Sequence, residues 1–146
     1  EIMENNPNIF FLTGDLGYGV LDPIRDKFPD RFRNVGSSEQ LMIGMAVGLS
    51  YQGYIPICYS ITPFCIYRPF EMIRNYLNHE NTPVKLIGTG RNKDYLKLGF
   101  SHWAEDDIRI MECFDNVKIR KPEKLTKEII NEFIYEKSPS YLNLTR

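Results

Sequence analysis

Phe28 to Ser60 reads FPDRFRNVGSSEQLMIGMAVGLSYQGYIPICYS. Pro29-Asp30 breaks whatever precedes it, and Arg31 to Val35 has the short apolar-polar pattern of a strand. Ser37 or Ser38 then caps a helix that runs to about Gln52, with Gly53 as its stop. Tyr54 to Ser60 follows as a second strand rich in β-branched and aromatic residues. A strand, a helix and a strand in so few residues describe a parallel crossover unit, which commits the chain to an α/β architecture.

The same alternation extends in both directions. Upstream, Asn8 to Thr13 (NIFFLT) predicts a strand, and Asp22-Pro23 supplies an N-cap and first-turn proline for a short helix ending near Phe28. Downstream, the pattern predicts a helix over Tyr67 to Asn78, a strand at Val84 to Gly88, a long loop and a helix over Ala104 to Phe114. A strand at Val117 to Arg120, an amphipathic helix near Thr126 to Lys137 and a strand at Ser140 to Leu144 complete the series. The expected fold is a three-layer, mostly parallel six-stranded sheet with helices on both faces, formed by residues 1–146 as one domain. Ligands of such sheets bind beyond the carboxyl ends of the strands, so the loops after Thr13, Val35, Ser60 and Gly88 are the places to search.

Composition narrows the classes of function. The 146 residues are 42% hydrophobic and 25% charged, with a net charge of −1 and the basic residues scattered. No basic face argues for nucleic acid, and no apolar run approaches the ~20 residues of a membrane span. Cys58, Cys65 and Cys113 are too dispersed for a disulfide framework and read as reduced thiols of a cytoplasmic protein. With only His79 and His102 available, no zinc-type cluster can be assembled.

Two loops could carry chemistry. Gly14-Asp15-Leu16-Gly17-Tyr18-Gly19 is rich in glycine but spaced as neither a dinucleotide fingerprint nor a phosphate loop. Asn34 to Gln40 places Glu39 in the first turn of a helix, where a carboxylate ordinarily complements the dipole. The helix behind it is unusual: Leu41 to Leu49 carries no charge and spends glycines at Gly44 and Gly48, each costing roughly 1 kcal/mol against alanine. Close packing of another backbone or helix against that face would account for the cost, and it would set Glu39 at the mouth of a buried helix, where it could hold or donate a proton.

These residues fall into a familiar order. Arg31 to Gln40 (RFRNVGSSEQ) and the small-residue helix behind it resemble the transketolase family. So does Arg68-Pro69-Phe70-Glu71-Met72-Ile73-Arg74-Asn75, and Gly99-Phe100-Ser101-His102-Trp103-Ala104-Glu105-Asp106-Asp107-Ile108 is similar to the family's G-x-T-H-x-x-x-E-D-I run. Ser138 to Arg146 looks like the strand that ends the family's pyrimidine-binding domain. The resemblance implies thiamine diphosphate as cofactor, with Glu39 bonded to N1′ of the aminopyrimidine and so promoting proton loss from the thiazolium. It also implies an apolar wall for the pyrimidine, with Phe64 as the main candidate and Ile61 and Tyr67 beside it. Gly36 and Asp15 would line the cofactor loops, with Asp15 touching either the ligand or a partner subunit, and His102 would shuttle protons or bind donor-substrate oxygens. Plain core packing for Phe64 and a capping or solvent-facing role for His102 remain the alternatives.

The family's acidic Gly-Glu-Asp-Gly segment is replaced here by Lys97-Leu98-Gly99, and a further histidine expected after Gly88 is absent, which leaves room for an unusual sugar-type substrate or another acyl donor. In this family the diphosphate and its Mg or Ca ion are held by a second domain with a Gly-Asp-Gly…Asn motif that Gly14-Asp15-Leu16 does not reproduce. The chain is therefore expected to bind no metal and to act as one half of a split enzyme, with a diphosphate-binding partner subunit in a heterotetramer with a two-fold contact. The other readings are a β-subunit-like part of a 2-oxo acid dehydrogenase or decarboxylase, and a non-catalytic assembly subunit.

Overall fold

The computed structural model describes all residues from Glu1 to Arg146. Six strands form one sheet: β1 (Ile9–Thr13), β2 (Phe32–Asn34), β3 (Ile55–Ile61), β4 (Lys85–Thr89), β5 (Lys118–Arg120) and β6 (Ser140–Leu144). Their order is β2-β1-β3-β4-β6-β5, and every neighbouring pair is parallel. The helices are α1 (Ile2–Asn5), α2 (Asp22–Lys27), α3 (Glu39–Tyr51), α4 (Thr62–Ile66), α5 (Phe70–Met72), α6 (Asp107–Met111) and α7 (Lys127–Tyr135).

The strand order dictates which face each helix covers. Steps from β2 to β3, β3 to β4 and β4 to β5 run one way across the sheet; those from β1 to β2 and β5 to β6 run the other way. Right-handed crossovers place the two groups of helices on opposite faces. Side-chain alternation along each strand then divides the core in two. Leu12, Cys58, Leu86 and Tyr141 pack under α3, α4 and α6 with Met42, Ile43, Ile66 and Met111. Their sequence neighbours Phe11, Ile57 and Leu142 pack on the other face with Leu21 and with Phe133 and Ile134 of α7.

Several boundaries differ from the sequence pattern. The expected helix over Tyr67 to Asn78 begins earlier, as α4, with Pro63 in its first turn. It is interrupted before α5 and ends as a π-helical stretch, Ile73–His79. Pro69 causes the interruption, because it donates no amide and its ring crowds the preceding turn. The helix expected from Ala104 shortens to α6, since the Ala104 amide donates to Asn92 O (2.7 Å) in an antiparallel bridge. Asp22 is the first helical residue of α2 rather than its cap. Ser38 occupies the cap position of α3, yet its side chain makes no capping bond. The glycines of α3 do not receive a neighbouring backbone: a β-carbon on Gly44 would meet only the Met72 side chain at 3.5 Å, and one on Gly48 would face open space. With exposed Leu41 and Tyr51, they leave a stripe of α3 uncovered by this chain.

Candidate active site

The strand order reverses between β1 and β3, so their carboxyl ends open the crevice where open α/β sheets bind ligands. Glu39, the first residue of α3, points into this corner and is 2% exposed. Glycine at position 14 makes room for it, since a β-carbon there would lie 3.2 Å from Glu39 Oε1 and 3.4 Å from Ser60 Oγ. Ser60, at the end of β3, donates to Oε1 (3.4 Å). Arg68 Nη1 donates to Oε2 (2.8 Å). The buried Cys65 thiol lies nearby and is pushed up to about 12, first by burial and then by the charge of Glu39.

Arg68 also connects the carboxylate to the aromatic candidates. Its guanidinium stands 3.7 Å from the centroid of Phe64, one helical turn earlier. Phe64 in turn meets His102 edge-on, with ring centroids 4.9 Å apart. Glu39, Arg68, Phe64 and His102 thus form a continuous series from the β1–β3 corner to the loop after β4. The sequence pattern points to three of these residues as site candidates; Arg68 enters it only as a member of a motif. Its contact with Phe64 has no signal in the sequence, because residues 61–66 read as a loop.

The other candidates are arranged differently. Asp15 adopts a left-handed conformation (φ 54°) and its amide donates to Asn34 Oδ1 (3.0 Å). Its exposed carboxyl is held below the usual range by a hydrogen bond from Tyr18 and a weaker one from Asn34. The same Asn34 oxygen accepts from the Gly36 amide (2.9 Å), and Gly36 has a φ of 72° that favours glycine. Asn34 therefore ties the loops after β1 and β2 together, a role that sequence spacing does not reveal. Ile61 leads into α4 at the end of β3. Tyr67 is anchored by its hydroxyl to Asp106 and is driven upward in pKa by burial and then by that carboxylate.

His102 rides on the loop after β4. Ser101 Oγ lies 2.9 Å from its Nδ1, and Tyr95 approaches it with centroids 6.3 Å apart. Tyr95 covers Gly90, where a β-carbon would come within 2.3 Å of the tyrosine ring and φ is 89°. Nowhere do three His, Cys, Asp or Glu side chains converge in a way that could hold a metal ion, and no helix is long and apolar enough to cross a membrane.

All of residues 1–146 match the family described as "Transketolase, pyrimidine binding domain". The chain belongs to that family. It is 35% identical over 124 residues to a subunit of the apulose-4-phosphate transketolase of Actinobacillus succinogenes, covering 84% of this chain and 40% of that protein. It is 33% identical over 149 residues to a putative transketolase C-terminal section of Methanocaldococcus jannaschii, covering 100% of this chain and 47% of the relative. Among solved structures, a split gene transketolase described as an inactive beta4 tetramer superposes with a TM-score of 0.86 at 30% identity, over 99% of this chain and 47% of that one. The chain thus spans less than half the length of these relatives.

Proposed function

We propose that this chain supplies the pyrimidine-binding half of a thiamine diphosphate-dependent, transketolase-type enzyme acting on sugar-type substrates. The observation that carries the reading is a single one: the Glu39 carboxyl is buried at the sheet's switch point, joined through Arg68 to the face of Phe64. These residues fit the cofactor's aminopyrimidine. The carboxyl matches ring nitrogen N1′, and the phenylalanine face matches an aromatic ring that needs an apolar wall. When bound, the cofactor supplies an electron sink that the protein's own side chains lack.

Glu39 would hold the ring through N1′ and manage the proton there. Burial makes this hydrogen bond stronger than it would be in water. Phe64 would set the ring's plane, and a ring laid on that face displaces the Arg68 guanidinium from it. His102, edge-on to the same phenylalanine, would present a neutral or protonated imidazole to substrate oxygens. In this reading the diphosphate and its metal are held by a partner subunit. Two longer relatives, one named as a transketolase subunit and the other as a transketolase C-terminal section, support that division of labour. Lys97-Leu98-Gly99, in place of an acidic segment, supports a sugar whose hydroxyls are not selected by a carboxylate from this loop.

The test is to co-express the complete subunit with its diphosphate-binding partner and compare Glu39→Gln with wild type. Turnover is expected to fall by about 10²–10⁴-fold, the usual contribution of a positioned proton-transfer group, with assembly unchanged. Wild-type turnover in the assembled variant would overturn the role of Glu39. Full-affinity binding of thiamine diphosphate to this subunit alone would overturn the split site.

A further inference from the structure

The loop that carries His102 is long, yet both of its ends are fastened to one buried side chain. Asn143 lies near the carboxyl end of β6 and is fully buried. Its Oδ1 accepts from Arg91 Nε (2.6 Å) at the start of the loop. Its Nδ2 donates to Asp107 Oδ2 (2.7 Å), just past the loop's far end. Tyr141, two residues earlier on the same strand and face, donates its hydroxyl to the same carboxylate oxygen (2.8 Å). Arg91 Nη2 further donates to Asn143 O (2.7 Å) and Pro122 O (2.6 Å). Glycine at position 88 admits this cluster: a β-carbon there would stand 2.9 Å from the Tyr141 hydroxyl.

Above these feet the loop is laced a second time. Asn92 and Ala104 form the antiparallel bridge, and Lys93 pairs with Glu105 at 3.4 Å. From this stem the chain folds over so that His102 meets Phe64. All four hub side chains, Arg91, Asp107, Tyr141 and Asn143, are buried, and buried polar networks of this kind hold one arrangement because every alternative strands a charge or a polar group. The tip is different: Leu96, Leu98 and Phe100 are exposed and do not anchor it.

We propose that Asn143, with Asp107 and Arg91, is the positioning device for His102. One carboxamide, donor on one side and acceptor on the other, sets the separation of the loop's two ends and thereby the approach of the imidazole to Phe64. The inference rests on the proposed role of His102 and adds to it residues that do not touch the reacting groups. Displacing a group by about 1 Å from its working geometry can cost about 10²-fold in rate. A change in the hub should therefore act through the histidine rather than through Glu39.

Trp103, the single tryptophan of this sequence, neighbours His102 and reports on the loop. In the assembled enzyme carrying 5-fluorotryptophan in this subunit, with the Trp103 resonance assigned by Trp103→Phe, we would compare Asp107→Ala, the milder Tyr141→Phe, His102→Ala and the Asp107→Ala/His102→Ala double variant. The expectation is a kcat about 10- to 100-fold lower in Asp107→Ala, a smaller loss in Tyr141→Phe, a shifted Trp103 resonance in both, and thiamine diphosphate affinity within about twofold of wild type. The double variant should be no slower than His102→Ala alone, because a device that works through the histidine has nothing left to position. Normal turnover in His102→Ala would overturn the role of the histidine, and the proposal with it. A slow His102→Ala enzyme whose defect multiplies with that of Asp107→Ala, or an unmoved Trp103 resonance in Tyr141→Phe and Asp107→Ala, would overturn the positioning role alone.

Discussion

Two charged side chains are buried at opposite ends of this sheet, and both lie at helix termini of the sign that suits them. Glu39 is 2% exposed at the amino end of α3, where strand carboxyl ends gather; Lys85 is 1% exposed at the amino end of β4, against the last turn of α7. Their partners differ. Lys85 Nζ donates to Glu136 O and to Ser138 O (2.8 Å), two main-chain carbonyls that the fold itself holds in place. Glu39 is paired with Arg68, whose side chain is 46% exposed. A charge matched by backbone is locked into the fold, whereas a charge matched by a long, half-exposed side chain is free to exchange that partner for a ligand. Burial alone does not separate the two charges; the exposure of the partner does.

The largest expected effect on stability comes from the locked charge. Burial lowers the Lys85 ammonium to about 8 in the folded chain, a cost that the nearby Glu136 charge only partly offsets, while an unfolded lysine titrates near ~10.4. Between those two values the unfolded chain binds the extra proton, so this group makes stability rise with pH across that window. Below about pH 8 the lysine is charged in both states and its burial penalty is fully present. The rise attributable to Lys85 is at most about 3 kcal/mol. Urea unfolding at about pH 7.5 and about pH 9.5, on either side of the folded value, captures about half of that rise in wild type and none in Lys85→Met, and the difference between the two pH slopes cancels other titrating groups. Equal slopes would mean that Lys85 is not held as a buried charge, and the comparison would lose one of its sides.

The exchangeable partner predicts a smaller effect of the opposite kind. Arg68 is half-exposed but pairs with a buried carboxylate, so its removal leaves Glu39 with only Ser60 Oγ and costs stability as well. Its guanidinium lies on the face of Phe64 that the proposed function assigns to a pyrimidine. Arg68→Met in the assembled enzyme is expected to tighten thiamine diphosphate binding by about tenfold, or about 1.4 kcal/mol, read by calorimetry rather than by turnover. Weaker binding would show that Arg68 orients Glu39 instead of yielding to the ring, and the two buried charges would then be held alike.

Which parts are legible in the sequence follows from the same distinction. Regular alternation locates all six strands and implies a mainly parallel sheet, because period-2 and period-3.6 patterns are written in neighbouring residues, but it does not give the strand order. Glu39 and His102 lie in motifs, and Phe64 enters only as the candidate for the apolar wall that the resemblance implies. Their mutual placement is not legible, since Arg68 links them only once α4 begins at Thr62, a stretch whose pattern predicts a loop. The Asn143 hub is invisible for another reason: Arg91, Asp107, Tyr141 and Asn143 come from separate segments, and no local rule joins them. The glycines of α3 predict a packing face, and the stripe at Leu41, Gly48 and Tyr51 is covered by no residue of this chain.

The smallest prediction concerns how the two helices with the contrasting charges begin. Thr126 caps α7, with Oγ1 accepting from the Ile129 amide (3.3 Å), so α7 carries a side-chain cap at its start and Lys85 at its end. At the start of α3, Ser38 holds the cap position without a capping bond, and the Glu39 carboxyl turns instead toward Ser60 and Arg68. Replacing a working cap by alanine costs typically ~1 kcal/mol. Thr126→Ala should therefore lower the unfolding free energy by about that amount, and Ser38→Ala by less than about 0.5 kcal/mol, the usual spread for a surface substitution. Denaturant titrations of the two variants decide the matter. A Ser38→Ala cost equal to that of Thr126→Ala would mean that α3 is capped for stability like α7, and that its first turn is not given over to the orientation of Glu39.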